Sequence, residues 1–157
     1  MEDDTLVAWD NLKKNHAIYI ESRMNFIKKQ DHPQIISAAL DIPGERGLSL
    51  DLISALPISE GKNFFDKLVA LASYVHGFTE RCRDLILRLP HDWVMSNIER
   101  EIEIILKEGD YEEYRCLLEL CRQLDHDLMF KLAHRALDSS DDDIKEAGMD
   151  FLTRWNA

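Results

Sequence analysis

Residues 136–152 read ALDSSDDDIKEAGMDFL, and this stretch decides the fold. An apolar turn ending at Leu137 gives way to Asp138 and then to three consecutive acids, Asp141, Asp142 and Asp143. Acidic side chains suit the positive end of a helix, so the acids mark a helix start and the apolar run before them a helix end. Beyond them Ile144, Ala147, Gly148, Phe151 and Leu152 recur at three- and four-residue steps, the spacing of one helical face. Residues 126–138 and 141–155 are therefore expected to form two helices. The turn between them is short enough to demand antiparallel neighbours.

The same arrangement recurs upstream. Cys82-Arg83-Asp84-Leu85-Ile86 aligns with Tyr114-Arg115-Cys116-Leu117-Leu118 at a shift of 32, and the latter with Ile144-Lys145-Glu146-Ala147-Gly148 at a shift of 30. Each reads apolar, basic, any, small or apolar, small or apolar, and Leu89, Cys121 or Phe151 closes the next turn. Three units thus cover roughly residues 62–155. Their helices are expected over 62–76, 78–89, 91–107, 110–123, 126–138 and 141–155. Gly77 stands at one helix end and Pro90 just past another. Strand signals are nearly absent.

The last unit resembles a HEAT-like (armadillo-type) helical repeat. The residues that carry the resemblance are Ala136-Leu137-Asp138, Asp141-Asp142-Asp143-Ile144-Lys145-Glu146-Ala147 and Phe151-Leu152. In such repeats an Asp closes the turn, and an apolar-basic pair opens the second helix. The middle unit keeps Asp110, Tyr114-Arg115 and Leu117-Leu118; the first keeps Cys82-Arg83 and Leu85-Ile86 but lacks the turn Asp. The resemblance implies a short right-handed α-solenoid of antiparallel helical hairpins. HEAT-like arrays mostly bind proteins and a minority are enzymes, so no activity comes with it.

Residues 1–61 do not share the repeat. Leu6, Trp9, Leu12, His16, Ile20, Met24 and Ile27 follow helical steps, so one long amphipathic helix is expected over 5–29, capping one end of the array. Its apolar stripe would also allow self-association. Pro33 suits the first turn of a second helix, 33–41. Ile42-Pro43-Gly44-Glu45-Arg46-Gly47 reads as a loop, Ser49 as the N-cap of a third helix, 49–56, and residues 57–61 as a second loop. The whole of 1–157 is taken as a single helical domain, irregular over 1–61 and repetitive over 62–157.

Composition narrows the function. The 157 residues are 45% hydrophobic and 31% charged, a globular balance. No apolar run approaches a membrane span, and Met-Glu-Asp-Asp at the start has neither the basic nor the apolar region of a secretory signal, so a cytoplasmic location is expected. Three cysteines, Cys82, Cys116 and Cys121, fall in apolar helical patterns and read as buried thiols. Net charge is −11: residues 1–60 carry six bases and ten acids, 61–107 seven of each, and 108–157 six bases against thirteen acids. An acidic last third repels phosphate backbones and favours a basic protein partner.

The expected function is therefore a non-catalytic protein-binding scaffold or adaptor. One specific form is an immunity or inhibitor protein that neutralises a basic toxin. Helices 79–89, 111–123 and 141–155 would line one face. Glu112, Glu113, Glu119, Asp142, Asp143, Glu146 and Asp150 would meet the partner there. The alternative is a small metal-dependent or nucleic-acid-processing enzyme on a HEAT-like fold. His134 and Asp138 share a helical face and could hold a metal, but Asp125 and Asp127 fit better as N-cap and first-turn acids. Acid–base catalysis by Glu99, Glu101 and Glu103 or by Asp141 to Asp143 needs a pocket that shifts a pKa. No nucleophile or phosphate-loop motif is present, and no cofactor is expected. Arg83, Arg115 and Lys145 read as a structural ladder to turn acids, the other reading being a basic ligand row. Trp93 and Tyr111, near helix starts, are the best exposed anchors; Trp155 is expected to pack back onto the last hairpin.

Overall fold

The structure, a computed structural model, describes residues 2–155, with Glu2 and Asp3 described by their backbone alone. The ends of the 1–157 span lie outside the described residues. Those residues are all-α, with no strand among them. Helix α1 is Glu2–Ile27, α2 His32–Leu40 and α3 Arg46–Ala55. The chain falls into two compact units, Met1–Leu52 and Ile53–Ala157, with the boundary inside α3.

In the first unit the breaks follow from local chemistry. Pro33 sits in the first turn of α2, where its missing N–H costs nothing. The connection over residues 41–45 is held by Arg46, whose buried side chain donates from Nε to the Leu40 carbonyl at 3.0 Å. This turn lets α3 begin at Arg46, earlier than the Ser49 cap the sequence suggests. Ser49 lies inside the helix and its hydroxyl donates back to the Glu45 carbonyl at 3.0 Å.

The second unit holds α4 Ile58–Gly61, a 3-10 turn Lys62–Phe64, α5 Phe65–Ala72, α6 Thr79–Leu87, α7 His91–Met95, α8 Ile98–Leu106, α9 Tyr111–Leu124, α10 His126–Ala136 and α11 Asp142–Trp155. Helix α9 is central and packs against α5, α6, α8, α10 and α11. Its buried residues, Tyr114, Cys116, Leu117, Leu118, Leu120, Cys121 and Leu124, run around much of its circumference. A helix apolar on that many sides belongs in the interior.

Two expected helices are divided. Residues 91–107 form α7 and α8. Ser96 Oγ donates to the Asp92 carbonyl and Asn97 Nδ2 to the Trp93 carbonyl, both at 2.7 Å. Side chains that take carbonyls from the helical ladder favour a break. Residues 62–76 form the 3-10 turn and α5, which ends early because Ser73 Oγ binds the Ala70 carbonyl at 2.7 Å. Gly77 therefore closes no helix, and no described glycine has a positive φ.

Candidate functional site

The acidic residues of the second unit are best understood from the helix starts. Asp110 is the N-cap of α9: its carboxylate accepts from the Glu112 N–H at 2.9 Å, while the Glu113 carboxylate accepts from the Asp110 N–H at 3.0 Å. This reciprocal box satisfies donors that a helix leaves unpaired. The Glu113 side chain first, and the Glu112 N–H after it, hold the Asp110 carboxyl below its usual range. At α11 the Asp141 carboxylate accepts from the Asp143 N–H at 2.9 Å and the Ile144 N–H at 3.3 Å.

These two helix starts face a common groove of about 610 Å³. Asp110, Tyr111, Glu112, Arg115 and Cys116 from α9, Asp141 and Asp143 from α11, and Val75 line it. Val75 comes from the turn between α5 and α6, which is wired by side chains. Thr79 Oγ1 accepts from the His76 N–H at 2.9 Å, and His76 Nε2 meets the Leu71 carbonyl at 2.7 Å. Its other ring nitrogen, Nδ1, accepts from the Phe78 N–H at 3.2 Å. The Glu112 carboxylate anchors the turn to α9, accepting from the Val75 N–H at 3.1 Å.

The groove unites two of the seven acids expected to meet a partner, Glu112 and Asp143. The others lie elsewhere or are engaged. Glu113 serves the capping box. Asp142 pairs with Lys145 at 3.0 Å. Asp150 pairs with Arg115 at 2.9 Å. Glu119 pairs with Arg122, accepting from its Nε at 3.1 Å. Burial works to raise the Glu119 pKa, but hydrogen bonds from Arg122 and Gln123 outweigh it and the net shift is downward. Glu146 is exposed on α11. Asp110 and Asp141 were missed as groove residues. Each sits just before an apolar-periodic run, with Glu113 three residues after Asp110, the signal of a cap.

Arg83, Arg115 and Lys145 are each paired with an acid. Arg83 is buried, pairs with Glu80 and donates from Nη2 to the Cys116 carbonyl at 3.3 Å. Arg115 reaches Asp150, inside α11, and its guanidinium lies 5.5 Å from the Tyr111 ring centroid. The hydrogen bond to Asp150 is the main cause that raises the Arg115 pKa. Tyr111 is 40% exposed at the groove. Trp93, the other expected anchor, is half-buried, edge-on to Phe65 and beneath Lys62. Trp155 is half-buried with Arg122 stacked 4.5 Å from its ring centroid.

A second, smaller groove of about 160 Å³ has a floor of Ile102, Leu128 and Leu132. Two ion pairs between α8 and α10 form its rim, Glu99 with Lys131 at 2.7 Å and Glu103 with Arg135. Glu99 and Glu103 are thus spoken for. Among the described residues no three His, Cys, Asp or Glu side chains are grouped as metal ligands. No helix among the described residues is long and apolar enough to cross a membrane. No family model, curated protein or solved structure matches the chain.

Proposed function

We propose that the protein is a non-catalytic protein-binding scaffold that takes a basic segment of its partner into the groove at the starts of α9 and α11. The observation that carries this reading is the convergence of Asp110, Glu112, Asp141 and Asp143 around one open groove beside the exposed Tyr111. Arg115, the one base in the lining, has its charge matched by Asp150. The groove therefore keeps an excess of negative charge, partly offset by the two helix dipoles. A Lys or Arg side chain would meet carboxylates there, and Tyr111 offers a flat amphipathic surface of the kind that dominates interface energetics.

The scaffold reading includes a short right-handed solenoid of HEAT-like hairpins, α5 with α6, α8 with α9, and α10 with α11. Several links support it. Helices α5 and α8 touch, as do α6 with α9 and α9 with α11. The bonds Glu99–Lys131 and Glu103–Arg135 each span 32 residues, and Arg83–Cys116 spans 33, close to the sequence repeat. An inhibitor of a basic toxin is the specific form that the acidity favours.

Affinity capture with the intact chain at low and physiological salt, followed by identification of bound proteins, tests the reading. Asp143→Lys combined with Tyr111→Ala alters the groove lining and leaves both helix caps in place. A partner with a basic segment, retained by the wild type and lost by the double variant, is expected. A partner held equally by both, or no partner at either salt, overturns the proposal.

A further inference from the structure

Every residue that walls the groove between α8 and α10 belongs to the second unit. Its floor, Ile102, Leu128 and Leu132, is apolar, and its volume of about 160 Å³ sets the size of an occupant. A cavity of about 150 Å³ takes a six-carbon ring, whereas pockets for larger ligands start at about 300 Å³. One branched or aromatic side chain fits; a nucleotide does not.

The mouth carries charge of both signs in order. Glu99 and Glu103 stand one turn apart on α8, and Lys131 and Arg135 one turn apart on α10. Each acid bridges to the base opposite. One edge is therefore a row of carboxylates and the other a row of cations. The four side chains are between 49% and 68% exposed, and exposed ion pairs contribute about 0–1 kcal/mol, so a bridge opens at little cost.

We propose that this groove binds a free apolar α-amino acid, with its side chain on Ile102, Leu128 and Leu132, its ammonium on the Glu99 and Glu103 edge and its carboxylate on the Lys131 and Arg135 edge. Ammonium and carboxylate share one carbon in such a ligand, so together they take the place of a bridge: the ammonium occupies the acid and the carboxylate the base. A fatty acid or an alkylamine would satisfy one edge and leave the other, and a residue inside a peptide has neither charge. The site is separate from the groove at the starts of α9 and α11 and does not depend on a basic partner there.

Titration of the intact chain with L-leucine, followed through the methyl resonances of Ile102, Leu128 and Leu132, tests this. Saturable shifts of these methyls are expected, and none from glycine, which has no side chain to seat. N-acetyl-leucine and leucine amide each lack one charge and should bind at least tenfold more weakly. Glu99→Gln, Glu103→Gln, Lys131→Gln and Arg135→Gln combined, all at exposed positions, should weaken leucine at least tenfold as well. No saturable shift at millimolar leucine overturns the proposal. So do equal binding of the uncharged N-acetyl-leucine amide, which would make the groove a plain apolar hollow, and undiminished binding by the fourfold variant. Leucine amide bound as well as leucine overturns it in favour of a peptide N-terminus.

Discussion

Arg83 donates from Nη2 to the Cys116 carbonyl at 3.3 Å, tying α6 to α9 across 33 residues of sequence. Arg115, which aligns with Arg83 at a shift of 32 in the sequence, ties α9 to Asp150 of α11. The two links differ in burial, and burial decides their worth. Arg83 is 5% exposed, so its loss removes packed methylenes and a charge-assisted hydrogen bond together. Arg83→Ala is expected to cost about 1–3 kcal/mol. The Arg115 and Asp150 side chains are 34% and 44% exposed, and Asp150→Ala should cost less than about 1 kcal/mol. Urea unfolding of both variants checks this; equal losses would remove the distinction.

Gly148 is required by close packing rather than by backbone conformation. A Cβ there would lie 2.6 Å from the Ala133 carbonyl oxygen and 2.7 Å from the Ala136 Cβ, both on α10. Alanine improves helix propensity by about 1 kcal/mol. The clash with a backbone oxygen outweighs this, since neither helix moves cheaply, and Gly148→Ala should lose about 1–3 kcal/mol net. Gly77→Ala is the control. A Cβ at Gly77 meets nothing within 4 Å, so that variant should be neutral or gain up to about 1 kcal/mol. Opposite signs in thermal unfolding are the expected result.

These residues show what a sequence exposes and what it conceals. Helices α9, α10 and α11 begin within a residue or two of expectation because Asp110, Asp125 and Asp141 are caps and can be read as such. Ala147-Gly148 was visible as a small pair in the aligned segments, although the Ala133 carbonyl and the Ala136 side chain that crowd it were not. The divisions at Ser73 and at Ser96-Asn97 were hidden, since a hydroxyl or amide inside a helical pattern binds a carbonyl only when its rotamer turns inward. The groove was half legible. Its acids stand out in the sequence, but only tertiary packing tells Asp143, which lines it, from Asp150, which is consumed by Arg115.

Acid should destabilise the protein through carboxylates that the fold holds ionised. Asp110 and Glu119 both titrate below their usual range. A group depressed in the folded state contributes stability that is full above its unfolded pKa and lost as pH falls through the folded one. The melting temperature should therefore fall progressively below about pH 5. Asp110→Asn keeps an N-cap acceptor but cannot ionise, so with Glu119→Gln it should give a shallower fall over the same range. Parallel curves for wild type and double variant would discount both groups.

The thiols should be inert in the native protein. Cys82, Cys116 and Cys121 are 0%, 7% and 0% exposed, and no disulfide joins them. Burial raises the Cys116 pKa and pushes Cys121 up to about 12. Nucleophilic attack needs the thiolate, so both terms slow the reaction. A disulfide reagent at pH 8 is expected to label the native chain only as fast as it opens, and to label three thiols at once in denaturant. Rapid reaction of one native thiol would contradict the burial.

Asp125 performs two structural tasks, which sets it apart from His134 and Asp138 as a candidate metal ligand. Its carboxylate accepts from the Leu128 N–H at 2.9 Å and starts α10, while its own N–H donates to the Cys121 carbonyl at 2.8 Å and ends α9. A carboxylate so used has its best-placed lone pair directed at the helix, not at an ion. Asp125→Ala should cost about 1 kcal/mol, as loss of a cap does, and Asp125→Asn almost nothing, because the amide oxygen accepts equally well. A metal ligand would behave otherwise: Asn would weaken binding, and added zinc would raise the wild-type melting temperature but not the variant's. Melting with and without zinc on wild type, Asp125→Ala and Asp125→Asn separates the two roles, and a zinc-dependent gain lost in Asp125→Asn would restore the metal site.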